Sequence, residues 1–369
     1  MNKFIFVCSG TAGHINPALA IAEKLLQNLP DAKILFIGSG RELENRLIPE
    51  AGYEIKNIKM TGIRRGISPG DIIYNLKTVK NLAAAGAEAT RIIREFKPTA
   101  VIGTGGYICY PVLKKAVKMR IPTLIHESNA SPGLTAKLLS ASVDKVLVSF
   151  PDTANLYKKP ERVTFTGTPI RGGFADEPKT GQKSGVKPLV VSFWGSLGAG
   201  NMNAMMAEFI KRNADEGLFD HIHATGGTIE NVDKLKSQIA SLGASQSLPN
   251  GIEIKNYIDD MPKVMAAADL MLCRAGGITI AELTALGKPC ILVPSPNVTI
   301  KQEANAKQLQ ENGGAVMLLE KDCTGAKLYE TVAELLRDKD KLKSMSEAQK
   351  KLAAPNAAST IAEMIISMC

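Results

Sequence analysis

The chain lacks several features that would place it in other protein classes. Aromatic residues make up only 5% of its 369 residues, and it contains one tryptophan and four histidines. No stretch approaches the roughly 18 consecutive apolar residues that a membrane-spanning helix needs. The first residues lead directly into an apolar run without the pattern of a signal peptide, so we expect a cytosolic chain.

The six cysteines are never spaced as a CxxC pair or as a set of metal ligands. Several of them end apolar runs, which favours buried free thiols in a reducing compartment. Asp259 and Asp260 are adjacent, but no third ligand accompanies them at a suitable spacing, so we interpret them as a helix start. The sequence therefore predicts neither a metal nor a cofactor.

The composition that is present indicates a globular protein. Hydrophobic residues account for 45% of the chain and charged residues for 22%. The length exceeds what a single hydrophobic core usually accommodates, so we expect two domains. The formal charge of +9 favours an anionic partner, which is nucleic acid, an anionic membrane surface or a phosphorylated substrate. Nucleic acid is the least favoured of these, because the basic clusters lack interleaved aromatic residues.

Short β-branched runs alternate with helical segments in both halves of the chain. The first half offers FIFVC, KILFIG, IKNIKM, TAVIGTG, PTLIHES, DKVLVSF and VTFTG, and the second offers PLVVSFWGS, HIHATGG, IEIKNYI, DLMLCRAG, CILVPSP and AVMLLE. Such strands predict parallel sheets covered by helices on both faces. We therefore predict an α/β protein with two doubly wound Rossmann-like domains, which span residues 1–168 and 188–349.

The segment between these domains, residues 169–187, loses apolar periodicity and is predicted to be a linker. A last helix is expected to begin near Asn356, after Pro355, with Ile361, Met364 and Ile365 on one face. We expect this C-terminal segment, within residues 350–369, to complete the first domain.

The first strand passes into a helix through the segment SGTAGH, from Ser9 to His14. We predict that Asn16 caps this helix and that Pro17 is its first residue. Exposed amides and the positive end of the helix dipole suit the loop to an anion, and they favour the neutral imidazole that a general base needs. A turn that binds nothing is the alternative for a loop of this kind.

An NAD site is the obvious rival for a strand, glycine loop and helix in this order. A dinucleotide loop has the pattern GxGxxG, whereas Cys8 stands at the first glycine position. The second strand ends in Gly38-Ser39-Gly40-Arg41, without the acidic residue that would bind a ribose. Both departures count against NAD.

Two further segments follow the next strands of the first half, GTGGY at residues 103–107 and HESN at residues 126–129. Because the carboxyl ends of parallel strands meet at one edge of a sheet, we expect their residues to converge with the first loop. The converging residues are His14, Gly105, Gly106, His126, Glu127 and Asn129. We expect His126 to organise backbone, and Glu127 is a reserve candidate for the base.

The second half repeats this arrangement with WGSLGAGN and CRAGGITIAEL. Ser196 can donate its hydroxyl to a phosphate, and the amides of Gly277, Ile278 and Thr279 can receive a diphosphate without a metal. Glu282 can bind the two hydroxyls of a ribose. Alternatively, Glu282 is an ordinary solvated helix residue, and the spacing alone does not distinguish these two interpretations.

Taken in order, SGTAGH, GTGGY, HESN, GTPIR, WGSLGA, YIDDM, CRAGGITIAEL and QEANA resemble the motifs of GT-B fold glycosyltransferases of peptidoglycan synthesis. The likeness is to the MurG-type enzymes, and it runs nearly from end to end. Those enzymes move N-acetylglucosamine from UDP-N-acetylglucosamine to undecaprenyl-diphospho-muramoyl-pentapeptide, which converts lipid I to lipid II. The resemblance implies inversion at the anomeric carbon and no metal in the donor site.

The resemblance also implies roles for residues at the matching positions. Those facing the donor sugar are Thr11, Ala12, Gly13 and Asn129, with Gln302 on the N-acetylglucosamine hydroxyls. Arg171 and Ser196 would lie near the uridine diphosphate. The backbone of Ile258 would contact the uracil, Gly277 the diphosphate and Glu282 the ribose. The glycine loops holding the acceptor diphosphate contain Gly10, Gly13, Gly105 and Gly106.

The chain departs from the family pattern at five positions. Ser9 and Ala12 replace glycines, Ser128 replaces a glutamine, Thr168 replaces an asparagine, and Tyr110 stands where glycine is common and could narrow the acceptor site. The departures keep two alternatives open. One is a GT-B enzyme with another acceptor, such as a glycolipid synthase or a UDP-N-acetylglucosamine 2-epimerase, and the other is a UDP-sugar-binding paralogue without catalysis.

A lipid-linked acceptor requires docking at the cytoplasmic face of the cell membrane. The segment at residues 67–86 offers apolar residues on one face with basic residues beside them, namely Ile72, Ile73, Leu76, Val79, Leu82, Lys77 and Lys80. Further basic residues of the same domain are Arg64, Arg65, Lys114, Lys115, Lys118 and Arg120. This composition suits peripheral binding to an anionic membrane surface, although a core-facing helix is the commoner use of one apolar stripe.

Overall fold

The computed structural model describes residues 2–60, 68–174, 187–243, 248–297 and 302–369. The chain divides into two compact units, described separately below. Unit 1 comprises Met1–Arg171 and Ala354–Cys369, and unit 2 comprises Gly172–Ala353. The predicted linker lies largely outside the described residues, as do Arg64, Arg65 and the side chains of residues 71–80.

Unit 1 is built on a parallel sheet that, within the described residues, has seven strands in the order β3-β2-β1-β4-β5-β6-β7. Its strands are β1 (Lys3–Cys8), β2 (Lys33–Gly38), β3 (Glu54–Asn57), β4 (Ala100–Gly105), β5 (Thr123–Glu127), β6 (Lys145–Val148) and β7 (Val163–Phe165). Its helices are α1 (Ala12–Asn28), α2 (Glu42–Glu50), α3 (Pro69–Phe96), α4 (Cys109–Lys118), α5 (Leu134–Leu139) and α13 (Ala357–Ser367).

Both faces of this sheet are buried, which explains the unbroken apolar runs. Along β1, Phe4 and Phe6 belong to one core cluster while Ile5 and Val7 belong to the cluster on the opposite face, as the two-residue period of a strand requires. Helix α13 packs on the first of these faces through Ile361 and Ile365, together with helix α1. The C-terminal segment is therefore part of the core of unit 1.

The predicted start of helix α1 is wrong. The helix begins at Ala12 with extended Thr11 as its N-cap, so Asn16 and Pro17 lie inside it. Proline is common at a first helical position, which made Pro17 a misleading signal. Inside α1, Pro17 lacks the N–H that would donate one intrahelical hydrogen bond. The hydroxyl of Thr104 donates to the nearby carbonyl of His14 at 2.7 Å.

Unit 2 repeats the architecture with six strands, within its described residues, in the order β10-β9-β8-β11-β12-β13. The strands are β8 (Leu189–Phe193), β9 (Asp220–Ala224), β10 (Ile252–Lys255), β11 (Leu270–Cys273), β12 (Cys290–Leu292) and β13 (Ala315–Met317). The helices are α6 (Gly200–Glu216), α7 (Ile229–Ser241), α8 (Met261–Ala267), α9 (Gly277–Leu286), α10 (Gln302–Glu311), α11 (Gly325–Arg337) and α12 (Lys339–Lys351).

The predicted fold class of two doubly wound parallel sheets is confirmed. In each sheet the strand order reverses direction at one place, between β1 and β4 in unit 1 and between β8 and β11 in unit 2. Ligands of open α/β sheets bind outside the carboxyl ends of the strands at such a reversal. The loops after these four strands are therefore the places to look for function.

Three smaller predictions can be checked directly. Five cysteines are buried free thiols as expected, but Cys369 is exposed. Asp260 caps helix α8 and accepts from the Lys263 amide, which confirms the helix-start interpretation of that acidic pair. No helix in the described ranges combines the length and apolar character needed to cross a membrane.

Candidate functional site

The first two glycine loops of unit 1 meet at the strand reversal. The amide of Ser9 donates to the carbonyl of Gly105 at 3.2 Å, and the imidazole of His14 lies against the same glycine. A Cβ on Gly105 would overlap His14 Cδ2 and lie 2.8 Å from Nε2, and the φ of Gly105 is +124°. Only glycine allows His14 to occupy this position.

The hydrogen bond of His14 fixes which nitrogen carries its proton. Nδ1 lies 2.7 Å from the carbonyl oxygen of Ser9, and a carbonyl oxygen can only accept. Nδ1 is therefore the donor, and the neutral ring keeps an unprotonated Nε2 beside Gly105. This is the arrangement of an oriented general base, in which a second group holds the ring in one tautomer.

A buried carboxylate that the motifs do not contain organises the first loop. Glu44 of α2 is fully buried, and its Oε1 accepts from the Gly10 amide and the Ser39 hydroxyl, each at 2.8 Å. Its Oε2 accepts from the amides of Ser39, Gly40 and Arg41. Glu44 thus ties the loop after β1 to the loop after β2.

Glu127 plays a similar part at the end of β5. Its Oε1 accepts from the backbone and side-chain amides of Asn129 at 3.1 and 2.9 Å, and its Oε2 accepts from the Gly133 amide at 2.8 Å. Three donors on one carboxylate hold the loop in place. The geometry suits Glu127 to orienting Asn129, and it ranks behind His14 as a base.

His126 organises backbone, as expected from the sequence. It is buried, and its Nε2 lies 3.0 Å from the carbonyl of Gly167, so Nε2 carries the proton. Burial lowers the pKa of His126 to about 4, with smaller contributions from the Gly167 hydrogen bond, which raises it, and from nearby His14, which lowers it further. The ring is therefore neutral at ordinary pH.

Three of the five positions that depart from the family pattern, Ser128, Thr168 and Tyr110, have structural partners. The Ser128 hydroxyl lies 3.4 Å from His126 Nδ1, and the Thr168 hydroxyl donates to Ser149 Oγ at 2.5 Å. Tyr110, in the first turn of α4, packs against the hydrophobic core of unit 1. Arg171 is exposed at the end of unit 1. Burial raises the pKa of Tyr53, and the positive charge of Arg171 opposes part of that rise.

In unit 2 the loop after β8 exposes Ser196. The carbonyl of Ser196 accepts from the Gly227 amide of the loop after β9 at 3.0 Å, so the two loops support each other. Ile258, which follows β10, is buried. These residues lie at the same edge of the sheet because each follows the carboxyl end of a parallel strand.

Arg274 connects the two loops at the strand reversal of unit 2. Its guanidinium forms an ion pair with Glu320 at 2.6 Å, in which the side chains are only 11% and 13% exposed. It also donates to the carbonyls of Val293 and Pro294, and its Cζ lies 5.9 Å from the ring centroid of Trp194. Arg274 therefore fixes the loop that precedes helix α9 against the loop that carries Ser196.

Helix α9 begins at Gly277 with Gly276 as N-cap. Its first amides, those of Gly277, Ile278 and Thr279, have no partner within the helix by geometry, and amides in this position favour the binding of an anion. Gln302 lies close by, with Nε2 4.0 Å from the position of a Cβ on Gly276 and Oε1 accepting from the Ser295 amide. Buried Asn305 donates to the Ala275 carbonyl at 3.0 Å.

Glu282 is partly buried in the second turn of helix α9. Burial raises the pKa of its carboxyl to about 8, and within the described ranges the carboxyl pairs with no hydrogen-bond donor or cation. A carboxylate in such surroundings gains most from hydroxyl donors supplied by a ligand.

Sequence reasoning found the loops but missed three residues that hold them in place: Glu44, Arg274 and Asn305. Arg274 and Asn305 lie inside the motifs CRAGGITIAEL and QEANA, but only other residues of these motifs were assigned a role. Glu44 had only its position at the third residue of a helix after a glycine-containing turn as a signal. Each acts through contacts distant in the sequence, which a local pattern does not report.

Comparisons with known proteins agree with this geometry. Residues 4–148 match the glycosyltransferase family 28 N-terminal domain, and residues 189–361 match the family 28 C-terminal domain. A crystal structure of Acinetobacter baumannii MurG superposes with a TM-score of 0.77 at 25% identity and covers all of both chains. The fold and loops define a glycosyltransferase of the GT-B class.

Two curated relatives identify the family within that class. A UDP-N-acetylglucosamine–N-acetylmuramyl-(pentapeptide) pyrophosphoryl-undecaprenol N-acetylglucosamine transferase of Acetivibrio thermocellus is 46% identical over 98% of this chain and 97% of its own length. The transferase of the same description from Caldanaerobacter subterraneus is 42% identical over 98% and 99%. This chain belongs to that family of N-acetylglucosamine transferases, which confirms the resemblance drawn from its motifs.

Proposed function

We propose that this chain transfers N-acetylglucosamine from UDP-N-acetylglucosamine to the C4 hydroxyl of the muramoyl residue of lipid I, giving lipid II. The transfer inverts the anomeric carbon and requires no metal in the donor site. Family membership over nearly the whole chain supports the substrates. The observation that carries the chemistry is the 2.7 Å contact between Nδ1 of His14 and the carbonyl oxygen of Ser9, which leaves Nε2 of the neutral ring available to accept a proton.

In this mechanism Nε2 of His14 accepts the proton of the C4 hydroxyl as its oxygen attacks the anomeric carbon. Orientation by Ser9 and Gly105 limits the imidazole to one position, which saves the entropy of arranging it during the reaction. Proton transfer by a positioned side chain contributes about 100- to 10,000-fold to a rate. Glu127 holds Asn129, which with Thr11, Ala12 and Gly13 contacts the donor sugar.

Unit 2 holds the UDP portion. The N-terminal amides of α9 and the hydroxyl of Ser196 receive the diphosphate, and they stabilise the negative charge that develops as UDP departs. Glu282 binds the ribose hydroxyls, the backbone of Ile258 binds uracil, and Gln302 binds the sugar hydroxyls. The position of Arg171 in the GTPIR motif also assigns this residue to the nucleotide.

The acceptor is reached from an anionic membrane surface at the cytoplasmic face. Unit 1 has 24 lysines and arginines against 14 aspartates and glutamates, a formal charge of +10, whereas unit 2 has 21 against 22, a charge of −1. On helix α5, Leu134 and Leu138 are 46% and 45% exposed and flank Lys137. Apolar side chains beside basic ones favour an interface with anionic lipid.

Binding to vesicles tests this surface. We expect Leu138→Ser to weaken binding to vesicles of phosphatidylglycerol and phosphatidylcholine, and pure phosphatidylcholine to bind less of the wild type. Leu242→Ser is the matched control, because Leu242 is an exposed leucine of unit 2. Equal binding by both variants would remove α5 from the membrane surface.

Release of UDP tests the function itself. The pure protein is incubated with UDP-N-acetylglucosamine, with and without a lipid I analogue. Release that requires the analogue supports the proposed transfer. Release or epimerisation without it identifies an enzyme with another reaction on the same fold, and nucleotide binding without release identifies a paralogue that does not catalyse.

A further inference from the structure

The peptide group between Ser9 and Gly10 has a hydrogen-bond partner at each end. Its N–H belongs to Gly10 and donates to Oε1 of Glu44 at 2.8 Å. Its carbonyl oxygen belongs to Ser9 and lies 2.7 Å from Nδ1 of His14. The described residues contain no cis peptide bond, so this N–H and C=O point in opposite directions. A single peptide group therefore separates the carboxylate of Glu44 from the imidazole of His14.

Glu44 is held in one position by hydrogen-bond donors. The side chain is fully buried, and its Oε1 also accepts from the hydroxyl of Ser39 at 2.8 Å. Its Oε2 accepts from the amides of Ser39, Gly40 and Arg41 at 2.6, 3.0 and 3.4 Å. Because every partner is a donor, both oxygens act as acceptors, as those of a carboxylate do. The carboxylate thus determines the direction of the Gly10 N–H.

The backbone at Gly10 needs such an anchor. Its φ is +96°, a conformation that L side chains rarely adopt, and glycine has more backbone freedom to lose than any other residue. On the other side of the peptide, the amide of Ser9 donates to the carbonyl of Gly105 at 3.2 Å. Held by Gly105 on one side and by Glu44 on the other, the Ser9 carbonyl is directed at His14.

We propose that Glu44 is a positioning residue for His14 and acts through the peptide group between Ser9 and Gly10. The inference rests on the proposed function, because it takes His14 to be the base. Hydrogen bonds in a chain polarise one another, so a negative charge at the N–H makes the carbonyl oxygen a stronger acceptor for the proton on Nδ1. The same charge stabilises the imidazolium that forms when Nε2 accepts the proton of the acceptor hydroxyl.

Other titratable groups near this chain of hydrogen bonds do not replace Glu44. Burial lowers the pKa of His126 to about 4 and raises the pKa of the Cys8 thiol, so both side chains are neutral at ordinary pH. The guanidinium of Arg41 approaches the first loop, and its positive charge opposes the protonation of His14. The negative charge of Glu44 is the one among these groups that favours it.

The kinetics of Glu44→Gln test the assignment. Glutamine keeps the size of the side chain but sets an amide NH₂ against groups that are themselves donors, so the peptide should turn and His14 should move. A displacement of about 1 Å at a reacting group costs on the order of 100-fold in rate, so we expect kcat with a lipid I analogue to fall by about 10- to 100-fold. KM for UDP-N-acetylglucosamine should be unchanged.

Glu42→Gln is the matched control, because Glu42 is exposed in the first turn of the same helix and its replacement removes the same charge. This variant should keep the kcat of the wild type. Equal kcat values for Glu44→Gln and Glu42→Gln would overturn the proposal.

The tautomer of His14 provides a readout that does not depend on sugar transfer. With ¹⁵N-labelled histidine, the ring nitrogens of the four histidines differ in chemical shift according to which nitrogen carries the proton, and the signals of His14 are those missing from His14→Ala. We expect Nδ1 to be protonated in the wild type and in Glu42→Gln, and a mixture of tautomers in Glu44→Gln.

This readout separates the inference from the proposed function. A changed tautomer in Glu44→Gln supports the role of Glu44 even if no variant transfers sugar to the analogue. The wild-type tautomer in Glu44→Gln would overturn that role even if kcat falls, because a merely structural carboxylate would lower activity without changing the protonated nitrogen.

A titration of the wild type gives a test that needs no folded Glu44→Gln variant. As the pH is lowered until His14 is protonated, the ring pulls harder on the Ser9 carbonyl, and the polarised peptide strengthens its bond to Glu44. The amide proton of Gly10 should therefore move to lower field in step with His14, and this step should be missing from His14→Ala. The same pH course of the Gly10 amide in both proteins would overturn the coupling.

Discussion

The imidazole of His14 occupies the space that a side chain on Gly105 would need, with Nε2 only 2.8 Å from the position of the missing Cβ. The two residues are 91 positions apart and meet because β1 and β4 are neighbours in the sheet. The absence of a side chain at Gly105 therefore fixes where the imidazole of His14, the proposed base, can lie.

Gly105→Ala should abolish most of the transferase activity. The added methyl group strains a residue whose φ is +124° and displaces the imidazole, and a displacement of about 1 Å at a reacting group costs on the order of 100-fold in rate. The measurement is kcat with a lipid I analogue. Gly52→Ala is the control, because Gly52 also has a positive φ, of +85°, but nothing lies within 4 Å of its added Cβ. Similar activities in the two variants would contradict the packing argument.

Donor affinity should depend on pH through Glu282. In the proposed function the ionised carboxylate accepts hydrogen bonds from the ribose hydroxyls. Burial raises the pKa of this carboxyl to about 8, so below that pH binding must release a proton. Affinity for UDP-N-acetylglucosamine should rise about tenfold per pH unit up to pH 8 and then level off. The diphosphate diester of this ligand keeps its charge over the range.

Glu282→Gln separates that effect from other titrations. Its binding, measured by calorimetry from pH 6.5 to 9, should be weaker than that of the wild type above pH 8 and nearly independent of pH. A glutamine variant that keeps the full pH dependence, or that binds as tightly as the wild type, would remove Glu282 from the ribose site.

The core of unit 2 should be sensitive to acid. Ser192 Oγ lies 2.8 Å from His221 Nε2 and 2.7 Å from His223 Nδ1, and all three side chains are fully buried. Burial lowers the pKa of His221 and lowers that of His223 to about 3. The unfolded chain binds protons below about pH 6.5 while the folded chain does not, so stability present above pH 6.5 is lost as the pH falls toward 3.

Denaturant unfolding at several pH values measures this loss. Two such histidines lower the free energy of unfolding by about 3 kcal/mol per pH unit around pH 5. The control is His14→Ala, which leaves both buried rings in place and should show the same slope between pH 6.5 and 5. A stability of unit 2 that does not change over that range would contradict the neutral assignment of His221 and His223.

The ion pair of Arg274 and Glu320 should matter for both stability and the donor site. Removing one partner of a largely buried pair costs about 3 kcal/mol, so Glu320→Ala should lower the free energy of unfolding by about that amount. It should also change the fluorescence of Trp194, the single tryptophan, since Arg274 lies over its ring.

Glu330→Ala provides the comparison for that pair. Glu330 pairs with Arg212 at 2.9 Å, but the two side chains are 61% and 36% exposed. Exposed pairs contribute under about 1 kcal/mol, and the guanidinium of Arg212 lies over the ring of Tyr329, whereas that of Arg274 lies over Trp194. Equal effects of the two alanine variants on unfolding and on fluorescence would show that burial of the Arg274 pair is unimportant.

The sequence predicted the sheets because strands buried on both faces, such as β1 and β4, consist of consecutive apolar residues. It placed His14, Gly105 and Glu127 at one edge because the strand ends of a parallel sheet share an edge. It could not reveal that Glu44 binds the Gly10 amide 34 residues away, since the position of Glu44 at the third residue of α2 is a local signal that says nothing of a distant partner. The start of α1 was misplaced because Pro17 carries a strong local preference that the Thr11 cap overrides.

The most direct test of the central claim compares wild type with His14→Ala. The account predicts that transfer to a lipid I analogue at saturating substrates falls by at least about 100-fold, because the oriented base is lost. The dissociation constant for UDP should stay within about twofold, since His14 is not among the residues proposed to bind the nucleotide. Unchanged turnover in His14→Ala would contradict the assignment of His14 as the base on which this mechanism depends.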